Sequence, residues 1–224
     1  MATPPHEPDN QDHDPDIEDG AAAVEEAAQL LQSWTHGDLR FDDNIVSCKF
    51  VRTDEGRLVA AVMVAALHTA DTVLMIPDEH APVLELLLTM EPFDENGPDG
   101  RWVDRWRIYH GEEDDINWVF LDIDMGRMSG IIIDGDALMI ANVLAEDEAG
   151  LCRAINDLGT QALQELCRNR LDKDVETPLV VGVDPGGLDV RAKFDVLRIP
   201  FPVPMELPED IVRITKDWAA PAKG

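Results

Sequence analysis

The chain is short of positive charge and of cysteine, and both shortages exclude classes of protein. Its 224 residues include 18 Lys and Arg against 46 Asp and Glu, which gives a formal net charge of −28. Because contacts with phosphate backbones and anionic lipids need cations, we expect neither nucleic-acid binding nor membrane binding. The three cysteines, Cys48, Cys152 and Cys167, lack CxxC spacing, so we predict no disulfide framework and no metal site.

Long apolar runs and the common catalytic motifs are also absent. No run approaches the roughly 20 apolar residues that cross a bilayer, and the acidic, Pro-rich N-terminal residues differ from a signal peptide. We therefore expect a cytoplasmic protein. The sequence contains no GxSxG, P-loop, GxGxxG or HExxH motif, so nothing in it points to the enzyme classes that these motifs mark.

The excess of acids has three competing interpretations. An acidic surface keeps a protein hydrated and soluble, including in a salty cytoplasm. An acidic face could instead dock a basic protein partner, or it could imitate a nucleic acid. The acids are scattered along the chain rather than arrayed at one spacing, which favours the first interpretation.

The N-terminal two thirds of the chain separate into a tail and a strand-rich region. Residues 1–20 hold too few apolar side chains to offset the entropy of ordering, so we predict a disordered acidic tail. In residues 21–144, a helix to about Ser33 precedes short apolar runs separated by turn residues, with one interrupting helix at about 79–90. Hairpins of this kind predict a closed or half-closed antiparallel barrel with helices outside.

Residues 145–224 predict a second, smaller unit that mixes helices and strands. A long helix with a break at Gly159 leads to two strands around the turn Asp184–Gly187. A third strand stops at Pro200, because proline cannot donate to a sheet ladder. Pro208 then opens a final helix, with acidic residues in its first turn.

This second unit resembles the C-terminal domain of HugZ-type haem-utilisation proteins. Three segments match that family's pattern in order and spacing: Gly182–Asp184, Gly187–Arg191 and Arg198–Phe201. The resemblance implies that the N-terminal domain is an FMN-binding-type split barrel, a dimeric fold that pyridoxamine-phosphate oxidases share. It therefore implies an α+β protein, an antiparallel split β-barrel followed by a small α+β C-terminal domain, that forms a homodimer.

The chain departs from the family where haem ligands would be expected. The family's helix signature contains two histidines, whereas Ala154–Gly159 of this chain keeps only the asparagine, Asn156. No histidine follows His110. Because a haem iron needs an axial donor such as imidazole, ligation from the C-terminal domain is not expected. We expect a protein that is not an enzyme; the alternative is that it is an FMN- or haem-linked oxidoreductase.

The segment Arg101–His110 is the best candidate for a ligand site. In a strand, residues two apart share a face. If this segment is a strand, one face carries Arg101, Arg105, Arg107 and Tyr109. Guanidinium groups bind phosphate and carboxylate through paired hydrogen bonds, so an FMN phosphate or haem propionates would fit there. The alternative, and the more common fate, is that the arginines pair with acids such as Glu112 while the tryptophans fill the core.

Two histidines complete the candidate site. His110 lies on the opposite face of the same segment, with the tryptophans. His68 ends a buried run beside Asp71, where it could act as an axial ligand or as a base. A histidine with satisfied hydrogen bonds at the end of a strand is the commoner outcome for both.

The sequence thus predicts a HugZ-like split-barrel protein that binds a flavin or a tetrapyrrole, with FMN or haem as the cofactor, near Arg101–His110. The alternative is a non-catalytic, acidic interaction protein that binds a basic partner through its acids.

Overall fold

Two β-sheets organise the chain in the structure, a computed structural model that describes residues 15–80 and 83–220, with side chains described from Gly20 onward. The strands of the first sheet are β1 (His36–Phe41), β2 (Asn44–Arg52), β3 (Leu58–Val62), β4 (Thr72–Ile76), β5 (Leu84–Pro92), β6 (Asn117–Met128) and β7 (Ile131–Asp134). The strands of the second sheet are β8 (Leu179–Asp184), β9 (Gly187–Arg191) and β10 (Val196–Pro200).

Five α-helices accompany the sheets within these described ranges. They are α1 (Pro15–Ser33), α2 (Gly100–His110), α3 (Ala145–Asn156), α4 (Thr160–Leu171) and α5 (Pro208–Trp218). Two short 3-10 helices lie at Val64–His68 and Gly135–Leu138. Among the described residues, no helix has the length and apolar character needed to cross a membrane.

The first sheet closes into a six-stranded antiparallel barrel. The strand order β3-β2-β1-β4-β5-β6 returns to its start because β6 also pairs with β3, with Leu121 opposite Leu58. β6 is 12 residues long, so its second half extends beyond β3 and pairs with the extra strand β7, where Gly126 lies opposite Ile133. The predicted α+β class and the predicted antiparallel barrel are confirmed.

Alternating strand residues and one face of α1 form the barrel core. In β1 every second residue is buried, including Leu39 and Phe41. Ala27 and Leu31, four residues apart on α1, pack into the same apolar cluster. This burial of apolar surface removes it from water and holds α1 against the strands.

The second sheet is a meander that packs on helices. Leu188 and Val190 of β9 are buried in a separate apolar cluster with Leu166 of α4 and Ile211 of α5. The predicted three-strand meander and its final helix are confirmed. So is the predicted break at Gly159, whose φ of +89° separates α3 from α4.

The segment Arg101–His110 is a helix, and its prediction as a strand is wrong. The buried residues of α2 include Trp102, Trp106 and Tyr109, which recur at the 3.6-residue period of a helix face. The alternation of arginines with other residues imitates a strand, but the spacing of the aromatic side chains decides the structure. α2 packs these aromatic residues against the outside of the barrel, in a cluster that reaches Val181 of β8.

The helix predicted at about 79–90 is also wrong, because this region contains β5. Leu84, Leu86 and Leu88 are buried while the residues between them are less so, which is the two-residue period of a strand. β5 pairs with β4 on one side and β6 on the other. The leucine spacing also fits a helix, but hydrogen bonding to a strand on each side stabilises the extended conformation here. Residues 81–82, within the predicted helix, lie outside the described residues.

Smaller differences concern the ends of elements. The apolar run after Leu58 forms β3 and then a 3-10 helix, rather than one strand. A further 3-10 helix covers only Gly135–Leu138, and residues 139–142 have no regular secondary structure. β1 has no counterpart in the sequence prediction. α1 begins at Pro15, so the last residues of the predicted tail are helical, and residues 1–14 lie outside the described residues.

A group of buried and half-buried ions joins the barrel to the second sheet; we call it the ionic cluster. Its members are Arg52 of β2, Arg105 of α2, Glu148 of α3, Asp184 of β8, Asp189 of β9 and Arg198 of β10. Three guanidinium groups and three carboxylates balance, so the cluster is neutral in a chain whose formal net charge is −28.

Each cation of the ionic cluster contacts at least one carboxylate. Arg105 donates to both oxygens of Glu148, at 2.6 and 2.8 Å. Arg198 donates to Asp184, and to Asp189 at 3.0 Å, while Arg52 reaches Asp184 at 3.2 Å. Burial disfavours the charge of Arg198, but the carboxylates outweigh that effect and raise the pKa of its guanidinium.

We predict that Arg198→Met strongly destabilises the protein. The substitution leaves the buried carboxylates of Asp184 and Asp189 without their shared cation, and such a loss costs about 3–5 kcal/mol of the free energy of unfolding. Arg213→Met is the matched control, because Arg213 is exposed on α5 and pairs with Asp210 at 2.6 Å; it should cost under about 1 kcal/mol. Equilibrium unfolding in urea measures both, and equal losses in the two variants would contradict the role of the cluster.

Candidate anion-binding site

Positive charge collects in one cavity at the junction of the barrel and the second sheet. The cavity has a volume of about 770 Å³. Its ionisable lining residues include His36, Lys49, His110, Arg191, Lys193 and Asp195. We call it the basic cavity, because Lys49, Arg191 and Lys193 face a single acid there in a strongly acidic chain.

Strand pairing and a tight turn bring these residues together. In the β1–β2 ladder His36 lies opposite Lys49, and residues opposite each other in an antiparallel pair place their side chains on the same face. Across the cavity, the turn between β9 and β10 is closed by the Ala192 N–H, which donates to the Asp195 carbonyl at 2.8 Å. This turn presents Lys193 and the aromatic ring of Phe194, which is 89% exposed.

The cations of the basic cavity are only loosely engaged. Lys49 Nζ lies 3.7 Å from Glu113, and both side chains are about half exposed. Lys193 forms no ion pair with any described residue, and its Nζ lies 4.9 Å from the centre of the Phe194 ring. Arg191 donates to the carbonyl of Ile108, near the end of α2. Weakly paired cations of this kind are available to an anion.

The end of α2 forms the floor of the basic cavity. His110 Nε2 donates to the Phe50 carbonyl at 3.0 Å; a carbonyl can only accept, so this nitrogen carries the hydrogen. Burial lowers the pKa of His110 to about 4, although the hydrogen bond opposes the shift. The hydroxyl of Tyr109 donates to Asp189 at 3.0 Å, and burial, followed by the charge of Asp189, raises its pKa. Both side chains are therefore neutral near pH 7.

A smaller cavity of about 450 Å³ lies on the other side of the ionic cluster. Arg52, Arg105 and Arg198 line it, together with α1 and the Pro-rich segment 200–204. Its three guanidinium groups are already bound to the carboxylates of the ionic cluster. This cavity therefore offers an anion less uncompensated charge than the basic cavity does.

The structure distributes the residues predicted for the site among several places. Tyr109 and His110 line the basic cavity. Arg105 lines the smaller cavity. Arg107 points elsewhere and pairs with Glu95 at 2.7 Å.

Two other predicted residues lie apart from both cavities. Arg101 is exposed and 3.9 Å from Asp54, and His68 is exposed at the end of a 3-10 helix. The alternative that the arginines pair with acids is confirmed for Arg107, which also contacts Glu112 at 3.1 Å. A ligand at any of the predicted residues stays a prediction.

Sequence reasoning missed four residues of the basic cavity: His36, Lys49, Arg191 and Lys193. They come from two strands of the barrel and from the second sheet, so no local motif unites them. One signal was available, because Arg191 and Lys193 lie two residues apart at the end of a predicted strand in a chain short of bases. Within the described residues, no group of three or more His, Cys, Asp or Glu side chains could hold a metal ion.

The cysteines do not add chemistry to either cavity. All three are free. Burial, with a smaller effect of nearby carboxylates, raises the pKa of Cys48 and of Cys152 to about 12. Both remain thiols near neutral pH, and the thiolate is the form that attacks or binds metal.

We predict that His110 makes the protein less stable in acid. Its pKa in the folded state is about 4, whereas an unfolded histidine titrates near pH 6.5. As pH falls from about 6.5 towards 4, His110 binds a proton in the unfolded chain but stays neutral in the folded chain. Protonation therefore stabilises the unfolded chain, and the free energy of unfolding falls. Between pH 7 and pH 5 the native protein should lose about 2 kcal/mol more than His110→Gln. Urea unfolding at the two pH values measures this, and an identical loss in both proteins would contradict it.

Comparison with known proteins shows the fold. No protein-family model matches the sequence, and no curated protein matches it. The structure is similar to that of Atu2129, a protein of unknown function from Agrobacterium tumefaciens, with a TM-score of 0.67, 14% sequence identity, and coverage of 94% of this chain and 99% of that one. A haem-binding protein from Mycobacterium smegmatis gives a TM-score of 0.44 and 19% identity over 88% of this chain and 96% of that one. At these sequence identities the similarity shows the fold alone and says nothing about function.

Proposed function

We propose that the protein binds a flavin or a tetrapyrrole in the basic cavity, without catalysing a reaction. The observation that carries the proposal is the convergence of Lys49, Arg191 and Lys193 on one cavity of about 770 Å³ in a chain of net charge −28. Small-molecule sites commonly occupy about 300–1,000 Å³. A concave, locally positive surface concentrates anionic ligands against the repulsion of the rest of the chain.

The lining of the basic cavity supports an aromatic ligand that carries anionic groups. Lys49 and Lys193 both line the cavity and suit a phosphate or carboxylates. Phe194 adds an exposed ring on which a planar ligand can stack. FMN and haem both combine a planar ring system with anionic groups, and the resemblance to HugZ-type proteins favours the same two molecules.

One buried polar atom also supports a bound oxygen. Thr35 lines the basic cavity and is 7% exposed, yet its hydroxyl has no hydrogen-bond partner among the described residues. Buried hydroxyl groups nearly always have a partner. A phosphate or carboxylate oxygen at this wall of the cavity would supply one.

The acidic surface supports a second candidate function. Outside the basic cavity the acids dominate, and a protein of net charge −28 attracts basic partners at low salt. Such a protein would bind a cationic protein through its acids and would leave the basic cavity unused.

The proposed function predicts that FMN, haemin or both bind to the purified protein and that the β9–β10 turn is required. Lys193→Gln combined with Phe194→Ser removes a cation and the exposed ring, so we expect ligand affinity to fall about tenfold or more, because the loss of about 1.4 kcal/mol is a factor of ten. Lys216→Gln on α5 is the control, since it removes one exposed cation that does not line the cavity.

Fluorescence quenching of FMN and the Soret absorption of haemin measure the two affinities. Absence of a spectral change with both ligands would overturn the proposal. Unchanged affinity in the double variant would move the site away from the basic cavity. Binding of a cationic protein that weakens with salt and persists in the double variant would favour the second function.

A further inference from the structure

We propose that His36 is the axial iron ligand when the basic cavity holds an iron tetrapyrrole. The inference rests on the proposed function and chooses between its two ligand classes. It places the imidazole on β1 of the barrel, whereas the C-terminal unit has no histidine at all. The basis is the position, the tautomer and the accessibility of this one side chain.

His36 faces the basic cavity beside the cations that tetrapyrrole carboxylates need. It lines the cavity and lies opposite Lys49 in the β1–β2 ladder. The turn that carries Lys193 also lines the cavity. An iron porphyrin places its metal at the ring centre and its carboxylates at the ring edge, so it needs a donor with cations around it. His36, Lys49 and Lys193 provide that combination.

The surroundings of His36 favour the tautomer that can bind iron. Nδ1 lies 3.8 Å from Oδ1 of Asp195, and the negative charge favours a hydrogen on Nδ1. The lone pair is then on Nε2, the nitrogen through which histidine usually binds a haem iron. The ring of Trp34 meets the imidazole edge to face, with centroids 5.1 Å apart, and restricts its rotation. The side chain is 37% exposed and lines the cavity, so the ring is accessible from it.

No other described side chain of the basic cavity is equally free to donate. His110 uses Nε2 in its hydrogen bond to Phe50, which leaves only Nδ1, next to its own Cβ. Tyr109 donates its hydroxyl to Asp189 and stays protonated. His68 and His80 do not line the cavity. His36 is therefore the donor that the geometry selects.

Haemin titration of the full chain tests this ligand. The native protein should bind haemin with the Soret and charge-transfer bands of histidine-ligated ferric iron. In His36→Ala we expect those bands to be lost and the affinity to fall about tenfold, while the addition of free imidazole restores the native spectrum, because imidazole can occupy the space left by the side chain. His80→Ala is the control, since His80 is an exposed histidine that also lies near a carboxylate; it should match the native protein.

The outcomes separate the inference from the proposed function. If His36→Ala keeps the native haemin spectrum, or imidazole fails to restore it, His36 is not the ligand. If FMN binds and haemin does not, the inference fails and the flavin part of the proposed function stands. If neither molecule binds, both fail. One combination of results would separate the cavity from the ligand. If haemin binds more weakly to the Lys193→Gln, Phe194→Ser variant but His36→Ala keeps the native spectrum, the basic cavity is the site and His36 is not the iron ligand.

Discussion

The ionic cluster is the interaction on which the arrangement of the two sheets depends. Buried charges cost free energy unless all of them are paired, so the cluster is favourable only when the barrel, α2, α3 and the second sheet meet in one geometry. Tyr109 fits into this contact with its hydroxyl against β8. A Cβ atom on Gly182 would lie 1.8 Å from that hydroxyl, so glycine is required where α2 approaches the sheet. The basic cavity is a consequence, because the same docking brings the end of α2 beside the β9–β10 turn.

The segments that resemble HugZ-type proteins owe much of their pattern to this contact. Asp184, Asp189 and Arg198, one from each segment, are members of the ionic cluster. Asn156, which survives from the helix signature, binds both the N–H and the carbonyl of Val180 on β8, at 2.9 and 2.8 Å. These residues hold the meander to the helices and the barrel. The role of these residues in this chain is therefore structural, and its function has to be argued from the cavity beside the ionic cluster.

Sequence reasoning succeeded where local chemistry determines structure. The Asp184–Gly187 turn, the break at Gly159 and the helix after Pro208 follow from residues with narrow backbone preferences. It failed for α2 and β5, where spacing alone was ambiguous and packing decided. The prediction of the site from sequence failed for a different reason. His36 and Lys49 meet through strand pairing, and Lys193 reaches them only after two units dock, so no stretch of sequence contains the site.

Hydrogen–deuterium exchange with and without saturating FMN or haemin tests most directly whether the basic cavity is the binding site. A ligand held there should slow exchange in the segments that form its walls: residues 34–37, 47–50, 108–111 and 191–196. The rest of the barrel and α5 should exchange at unchanged rates. Protection confined to other surfaces, or an absence of protection with a ligand demonstrably bound, would contradict the assignment of function to this cavity.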